Sequence, residues 1–253
     1  MTLATALAQT RRRRRVDAIG FDVYGTLVDP LSLQAELRHL AGERAAELAT
    51  IWRTKQVEYA FRRSLMGVWE PFETCTAQAL DYAVRSARLT LSAEDRQALL
   101  ESYRRLPTFP DVAEGLGELR RQGWTLLAFS NGSGPAVRDV LQHAGVLGFF
   151  DDVVSVAEVG MFKPHPSVYR HFAARAGRAP GEAWLVSSNP WDVIGAKGAG
   201  LRAAWVRRSE EACFDPWGGD PDLTVRDLID LSRQFEQRRD TARGDTKGST
   251  PGH

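Results

Sequence analysis

Short apolar runs alternate along the chain with segments of helical periodicity, which predicts a parallel β-sheet flanked by helices. The apolar runs lie at residues 16–21, 124–129, 153–156, 184–186 and 203–206. The helical segments between and after them lie at residues 112–121, 135–143, 166–176, 190–198 and 225–235. The runs are almost continuously apolar, as is typical of strands buried on both faces. The pattern therefore predicts an α/β protein whose core is a Rossmann-like, doubly wound parallel sheet.

Residues 31–107 interrupt this alternation, because they have helical periodicity and no strand-like run. We interpret them as a helical cap inserted after the first strand. The clearest cap helix, at 43–66, has two semi-apolar faces, which predicts that it is sandwiched between two layers. One face carries Leu48, Ile51, Trp52, Tyr59 and Met66, and the other carries Thr50, Arg53, Thr54, Val57 and Phe61. By periodicity alone, Arg53 is typical of a surface residue that snorkels to solvent.

The two ends of the chain differ in composition from the rest. Residues 1–15 end in five consecutive arginines, Arg11 to Arg15, and residues 238–253 are rich in Gly, Thr, Asp and Arg. An arginine run can bind nucleic acid, but a solvated arm is the commoner case and is our interpretation. The expected organisation is a disordered basic arm at 1–15, a core domain at 16–30 and 108–237, the cap domain at 31–107 and a disordered tail at 238–253.

The composition excludes several classes of function. A chain of 253 residues allows one to two domains, and a formal net charge of +1 gives no general attraction to nucleic acid or to a membrane surface. No apolar run is long enough to span a bilayer. Cys75 and Cys213 are far apart and lack a metal-ligand spacing, as do the five histidines. These features suit a protein of the reducing cytoplasm without a disulfide framework.

Polar residues follow the first two predicted strands. Asp22 ends the first strand and is followed in the turn by Thr26, and Ser130 and Asn131 end the second. Ligands of open α/β sheets bind at the carboxyl ends of the strands, so these residues are candidates for a site. Each segment also has an ordinary structural explanation. Asp22 can form an Asx-type turn, and Ser133 can cap the helix after the second strand.

Two further segments follow the third and fourth strands. The third strand is followed by Lys163-Pro164, and the fourth by Ser187 to Asp192, with the sequence Ser-Ser-Asn-Pro-Trp-Asp. A lone lysine before proline is usually only a loop residue. The second segment is also a good helix start, with Asn189 at the N-cap and Asp192 at the third helical position. Local pattern alone leaves both explanations open.

The stretch Asp22-Val23-Tyr24-Gly25-Thr26 resembles the first motif of the haloacid dehalogenase superfamily, in which the first Asp is a covalent nucleophile. Most members are phosphatases with a second Asp two residues later, which protonates the leaving alcohol. Here that position is Tyr24, and a halide leaves as a stable anion that needs no proton. Phosphatases usually begin the fourth motif with Gly-Asp, whereas Ser-Ser-Asn-x-Trp-Asp looks like the dehalogenase version. The resemblance spans residues 16–237 and is closest to the L-2-haloacid dehalogenases.

The resemblance implies a role for each candidate residue. Asp22 would attack C2 of the substrate, and Arg53 and Asn131 would receive the departing halide. Ser130 and helix-start N–H groups would hold the substrate carboxylate, and Asp192 would orient or activate water. The residues that would position Asp22 are Lys163, Thr26 and Ser187, and the catalytic set also includes Asn189, near the place of the absent acid. The pocket lining would be Tyr24, Val57, Phe72 and Trp191.

The expected reaction is hydrolysis of an L-2-haloalkanoic acid to a D-2-hydroxy acid through an aspartyl ester. The resemblance further implies no cofactor and no metal, a haloalkanoate substrate, a halide product and a homodimer. Arg53 lies in a segment, Trp52 to Tyr59, that looks like the dehalogenases' cap, although Thr54 stands where the family often has Gln. Phe72 is explained equally well as cap core. Two alternatives stay open: a metal-dependent phosphatase of the same superfamily, and a catalytically silent relative that acts as a binding protein.

Overall fold

The computed structural model describes residues 17–245, with side chains through residue 239. Within that range six strands form one sheet, in the order β3-β2-β1-β4-β5-β6, and every pair is parallel. The strands are β1 (Ala18–Phe21), β2 (Thr125–Ser130), β3 (Asp152–Ser155), β4 (Ala183–Ser187), β5 (Arg202–Val206) and β6 (Leu223–Val225). This is a doubly wound Rossmann-like order, which reverses between β1 and β4. The predicted α/β fold class is confirmed.

The central strand β1 is buried because helices flank the sheet. Ile19 and Phe21 are fully buried. Gly20 lies so close to Phe172 that a Cβ atom there would come within 2.6 Å of its ring. The sequence pattern does not predict β6, since this edge strand has three residues and its middle residue is exposed. Such a segment is too short and too mixed to appear as an apolar run.

Nine α-helices lie within the described residues. They are α1 (Gln34–Ala41), α2 (Ala45–Met66), α3 (Phe72–Ser86), α4 (Ala93–Tyr103), α5 (Val112–Arg121), α6 (Gly134–His143), α7 (Pro166–Arg175), α8 (Pro190–Gly198) and α9 (Leu228–Asp245). Helix α5 packs on α9 at Gly115, where a Cβ atom would come within 2.4 Å of Leu228. The helices after β1 to β4 lead away from the strand ends where the predicted site residues lie.

Helix α9 corrects the predicted C-terminal tail. It continues to Asp245, whereas the sequence pattern ends the helix at residue 235 and predicts disorder from residue 238. The start of the helix is anchored by Leu228, Leu231 and Phe235, which are buried. Once these turns have formed, each further residue adds a hydrogen bond at small cost, and Arg, Gln and Glu are good helix formers. Composition alone therefore placed the end of the helix too early.

Helices α1 to α4, which we call the helical segment (residues 34–103), lie between β1 and α5 in the chain. Helix α2 packs along α3, and its buried residues follow one stripe of helical spacing: Ala45, Leu48, Ala49, Trp52, Gln56 and Ala60. The predicted second face is wrong in part, because Thr50 and Thr54 lie away from this stripe and are exposed. Met66 is 70% exposed in the last turn of α2. The division into core and cap domains stays a prediction.

Both chain ends extend beyond what the structure describes. The basic arm predicted at 1–15 and residues 246–253 of the predicted tail lie outside the described residues. Of the helices in the described part, none combines the length and apolar character needed to cross a bilayer. Cys75 is buried and Cys213 is exposed, and neither forms a disulfide.

Candidate active site

Asp22 lies just beyond the carboxyl end of β1 and is 5% exposed. Its Oδ2 atom accepts hydrogen bonds from Thr26 Oγ1 at 2.8 Å and from Asn189 Nδ2 at 2.8 Å. The turn after it needs Gly25, whose φ of +92° lies in the left-handed region that favours glycine. Because Thr26 follows this turn, its hydroxyl points back to the carboxylate four residues earlier. The simple Asx-type turn considered for Asp22 is thus not what its side chain forms.

Lys163 is fully buried beside this carboxylate, and three oxygens surround its ammonium group. Its Nζ atom donates to Asp22 Oδ1 at 3.2 Å, to Asp192 Oδ2 at 3.0 Å and to the Phe129 carbonyl at 2.8 Å. A buried ammonium is stable only when it is paired and hydrogen-bonded, as it is here. Lys163 is therefore a member of a buried ion cluster rather than an ordinary loop residue.

Asp192, at the start of α8, is the second carboxylate of the ion cluster and is fully buried. Its Oδ1 atom accepts a hydrogen bond from the Tyr169 hydroxyl at 2.7 Å. Burial raises the pKa of Asp192, the Lys163 ammonium opposes that rise, and the charge of Asp22 adds to it. Burial also raises the pKa of Tyr169 well above its usual value, so Tyr169 is a neutral donor.

The sequence pattern misses Tyr169, because it lies among apolar residues of α7 and is typical there of core packing. The signal that could have found it is a glycine. Gly195, on α8, leaves room for the ring, since a Cβ atom there would come within 2.5 Å of the Tyr169 hydroxyl oxygen. The close approach of α7 to α8 at Gly195 brings the hydroxyl to Asp192.

The loop after β4 completes the shell around Asp22. Ser187 Oγ lies 3.4 Å from Asp22 Oδ2 and accepts a hydrogen bond from the Asn189 backbone N–H. Asn189 occupies the N-cap position of α8, but its side chain makes no capping bond and instead donates to Asp22. The capping explanation for the Asn189 side chain is therefore wrong. Ser188, which the sequence pattern does not single out, donates its hydroxyl to the Gly25 carbonyl at 2.6 Å rather than to Asp22.

Ser130 and Asn131, after β2, lie on the other side of the ion cluster. Ser130 Oγ accepts from the Gly132 backbone N–H at 3.1 Å, and Asn131 Oδ1 accepts from the Lys163 backbone N–H at 3.0 Å. Ser133 caps α6, as the ordinary explanation of this segment requires, at 3.4 Å from Ala136 N. Its own N–H, which was a candidate for the substrate carboxylate, donates instead to Glu73 of α3 at 3.1 Å.

Arg53 reaches from α2 to the loop that carries Asp22. Its Nη2 atom donates to the Tyr24 carbonyl at 2.9 Å, and its Nη1 atom donates to Gln56 Oε1 at 2.7 Å. The surface explanation for Arg53 is therefore wrong, because its guanidinium is half-buried between the helical segment and the sheet edge. Gln56, to which it is bonded, is fully buried and is absent from the predicted site.

Aromatic side chains line the space next to Arg53. The Tyr24 ring is buried, with its centroid 5.8 Å from that of Phe72 and 5.6 Å from that of Tyr103. Burial raises the pKa of Tyr24 far above its usual value, so the phenol is neutral. A solvent-open cavity of about 380 Å³ lies against Tyr24 and Phe72. Phe72 lines that cavity together with Tyr24 and Tyr103, and its role toward a substrate stays a prediction.

The two remaining predicted lining residues, Val57 and Trp191, are partly buried. Trp191, in the first turn of α8, packs edge-on against Phe61 of α2, with 5.1 Å between ring centroids. Val57 follows Gln56 in the same helix. The ring contact puts Trp191 at the junction of α2 and the sheet edge. The roles of both residues toward a substrate stay predictions.

A family model described as haloacid dehalogenase-like hydrolase matches residues 16–200. The chain belongs to this family. Haloacetate dehalogenase H-2 of Moraxella sp. (strain B) is 39% identical over 84% of this chain and 94% of its own length. An (S)-2-haloacid dehalogenase of Pseudomonas sp. (strain YL) is 36% identical over 87% of this chain and 95% of its own length.

A solved structure shares the fold of this haloacid dehalogenase-like hydrolase. It is an L-2-haloacid dehalogenase from Xanthobacter autotrophicus with chloropropionic acid covalently bound. The two structures superpose with a TM-score of 0.82 at 31% sequence identity, covering 87% of this chain and 98% of the other. The predicted resemblance is confirmed at the level of family and fold.

The side chains of this hydrolase that could ligate a metal ion are relevant to the prediction that it needs no metal. Across the described residues, no group of three or more His, Cys, Asp and Glu side chains is placed to hold a metal ion. The two carboxylates at the site, Asp22 and Asp192, share the ammonium of Lys163. An ammonium in that place neutralises the charge that would otherwise attract a divalent cation. Independence from metal stays a prediction.

Proposed function

We propose that this protein hydrolyses L-2-haloalkanoic acids to D-2-hydroxy acids through a covalent ester on Asp22. The observation that carries the proposal is Tyr24, two residues after Asp22. Its phenol is buried and neutral and its carbonyl holds the Arg53 guanidinium, so this position supplies a cation that can bind an anion and no carboxylic acid to protonate a leaving alcohol. The named activities of the Moraxella, Pseudomonas and Xanthobacter relatives support the same reaction class.

In the first step an oxygen of Asp22 attacks C2 of the substrate from the side opposite the halogen. The C–O bond forms as the carbon–halogen bond breaks, and the halide leaves with the electron pair. Lys163, Thr26 and Asn189 hold the carboxylate through contacts that restrict its orientation. We assign the departing halide to Arg53 and Asn131, and the substrate carboxylate to Ser130 and the helix-start N–H groups other than that of Ser133, which is paired with Glu73. C2 is inverted once in this step.

In the second step water attacks the carbonyl carbon of the Asp22 ester. A proton passes to a base, the bond from that carbon to the C2 oxygen breaks, and the alkoxide takes up a proton as the hydroxy acid leaves. Asp192 is the assigned base or water-orienting group, because burial raises its pKa and Lys163 links it to Asp22. Tyr169 donates to its other oxygen and so favours the ionised form that accepts a proton.

The experiment that tests this function compares two assays on one preparation. Halide release is measured from L-2-chloropropionate, D-2-chloropropionate and chloroacetate in EDTA, and phosphate release from p-nitrophenyl phosphate in Mg²⁺. We expect halide release from the L-acid without metal, and chloroacetate is included because of the Moraxella relative. Phosphate release alone would support the phosphatase, and no turnover in either assay would support a binding protein.

We also propose that the enzyme acts as a homodimer in the cytoplasm. Support for the dimer comes from an exposed apolar group at the end of α2, where Leu65 is 89% and Met66 70% exposed, with Val68 next to them at 45%. Such neighbouring apolar side chains favour contact with a second copy of the chain. Light scattering after size exclusion tests this: Leu65→Glu combined with Met66→Glu is expected to give monomers, and unchanged dimers would exclude this surface.

A further inference from the structure

A buried glutamine lies directly behind the arginine of the site. Gln56 is fully buried in α2, three residues after Arg53. Its Oε1 atom accepts from Arg53 Nη1 at 2.7 Å and from the Tyr103 hydroxyl at 2.8 Å, and its Nε2 atom donates to Thr76 Oγ1 at 2.6 Å. These contacts link helices α2, α3 and α4 beneath the guanidinium.

The direction of the amide is fixed from both ends. A guanidinium only donates hydrogen bonds, so the amide atom that faces Arg53 must be the oxygen. Thr76 gives its own hydroxyl proton to the Phe72 carbonyl at 2.9 Å, so it accepts from the amide nitrogen. Reversing the amide would place N–H groups against Arg53 and leave buried donors unpaired, which costs about 1–3 kcal/mol for each group. Gln56 is thus a fixed, neutral acceptor.

The neutrality of this acceptor matters for the charge of Arg53. The guanidinium is held by two oxygens, Gln56 Oε1 and the Tyr24 carbonyl, and both are uncharged. A carboxylate in the place of Gln56 would give the same hydrogen bond, but it would neutralise the charge at the position where a halide is to be stabilised. In a buried site this difference is large, because an ion pair there is weakly screened by solvent.

We propose that Gln56 is a positioning residue, which aims Arg53 at the departing halide while leaving the guanidinium charge unpaired. This inference rests on the proposed function. It assigns no contact between Gln56 and the substrate, since the amide acts through Arg53. A purely structural glutamine that only joins α2, α3 and α4 would affect folding stability and leave halide affinity unchanged.

The test is Gln56→Glu, with Gln78→Glu as its matched control. Gln78 also faces an arginine, since its Oε1 atom accepts from Arg63 Nη2 at 2.8 Å, but it lies on the exposed surface of the same segment. Both variants replace an amide oxygen beside an arginine by a carboxylate. Steady-state kcat and KM are measured with 2-chloropropionate and 2-bromopropionate, and halide binding is measured by tryptophan fluorescence.

We expect Gln56→Glu to lower kcat by about 10- to 100-fold, less than removal of Arg53, and to weaken halide binding by a similar factor. KM is expected to change by less than threefold. The ratio of variant to wild-type kcat should rise toward one as the pH falls, because protonation of the introduced carboxyl restores a neutral acceptor. Gln78→Glu should leave all these quantities unchanged.

A folded Gln56→Glu variant with wild-type halide binding and kcat would overturn the inference. If that variant fails to fold, Gln56→Met removes the acceptor without adding charge, and we expect it to lower kcat by about tenfold at every pH. Wild-type turnover in Gln56→Met would then overturn the proposal. Failure of the proposed function is a separate result, because wild-type protein would then release no halide. The fluorescence titration still compares halide affinity between wild type and variants in that case.

Discussion

The site has two halves, the sheet edge and the helical segment, and their charged groups have different hydrogen-bond partners. The sheet edge pairs its charges, since Asp22 and Asp192 share the buried ammonium of Lys163. In the helical segment, by contrast, the guanidinium of Arg53 is bonded to two neutral oxygens, those of Gln56 and of the Tyr24 carbonyl. In the proposed reaction the first arrangement fixes the nucleophile, which is an anion before and after turnover. The second keeps a cation available for the halide, an anion that appears only during that reaction, which is where electrostatic stabilisation accelerates a step.

The largest expected effect on kcat comes from a substitution in the sheet-edge half of the site. Asp22→Asn removes the proposed nucleophile while keeping the shape of the side chain, so we expect kcat to fall about 10⁴-fold or more. Single-turnover product formation, with enzyme in excess, should disappear together with the steady-state rate. Thermal unfolding of the variant serves as the control for folding. Residual single-turnover product at the wild-type rate would contradict a nucleophilic role.

An isotope experiment on the wild-type enzyme sharpens the same point. In ¹⁸O water with enzyme in excess, the ester route puts the label into the Asp22 side chain and leaves the first hydroxy acid unlabelled. If Asp22 were only a general base, water would attack C2 and the hydroxyl would carry the label at once. Both routes invert C2 once, so stereochemistry does not separate them. Mass spectrometry of the peptide that contains Asp22 does.

A substitution in the helical half of the site is expected to lower kcat less than Asp22→Asn does. Arg53→Ala removes the cation that we propose stabilises the leaving halide, and loss of a comparable oxyanion donor costs about a hundred- to thousandfold in kcat. Arg53→Lys is the matched control, since it keeps the charge and loses the two-atom fork that bridges Gln56 and Tyr24. We expect its kcat to lie between those of wild type and Arg53→Ala. Equal kcat in all three would contradict a role for Arg53 in halide departure.

Phe72 offers a smaller effect, on substrate size. Phe72→Ala is expected to join the substrate space to the cavity of about 380 Å³ that its ring borders. The kcat/KM ratio for 2-chlorohexanoate over 2-chloropropionate should rise about tenfold, while unfolding free energy falls by about 3–5 kcal/mol, as for a buried Phe→Ala change. Tyr82→Ala, which removes a partly exposed aromatic ring from α3 outside the cavity lining, should leave the ratio unchanged. A ratio unaltered in Phe72→Ala would show that the ring does not limit substrate size.

The two halves also differ in how far the sequence predicts them. Asp22, Ser130 and Ser187 end apolar runs, and a parallel sheet brings its strand ends together whatever the detail of packing. Lys163 and Asp192 follow later strands and come to the same edge for the same reason. The sheet-edge residues could therefore be found from the order of strands and from the motif that they resemble.

The helical half could be found only in part. Arg53 and Phe72 were identified by resemblance, whereas Gln56 and Glu73 were not. Gln56 contacts Thr76 of α3 and Tyr103 of α4, and Glu73 contacts Ser133, which precedes α6. The packing of these elements against one another therefore decides what the two side chains contact. Periodicity assigns a residue to one face of its helix, but it carries no information about which polar group of a neighbouring element that face contacts. Tyr169 was missed for a related reason, because a buried tyrosine in an apolar helix face is usually core.

The smallest expected effect is a difference between the two halves of the site in how the unfolding free energy of their variants depends on pH. The pKa of Asp192 is raised from 3.8 by burial, so the folded protein binds this proton more tightly than the unfolded chain does. The stability contributed by Asp192 is fully present below pH 3.8 and is lost as the pH rises through its folded-state pKa. The difference in unfolding free energy between wild type and Asp192→Asn should therefore fall with rising pH, by at most about 1.4 kcal/mol per pH unit, and then level off. Thr76→Val is the matched control in the helical half, since it removes the acceptor of Gln56 Nε2. Gln56 is bonded to Arg53, Thr76 and Tyr103, with no carboxylate among them, and burial raises the pKa of Tyr103. The cost of Thr76→Val, about 1–3 kcal/mol, should therefore not vary between pH 4 and 8. Urea unfolding of the three proteins across that range measures both slopes. A flat difference for Asp192→Asn, or a sloping one for Thr76→Val, would contradict the division into a charged sheet edge and a neutral helical support.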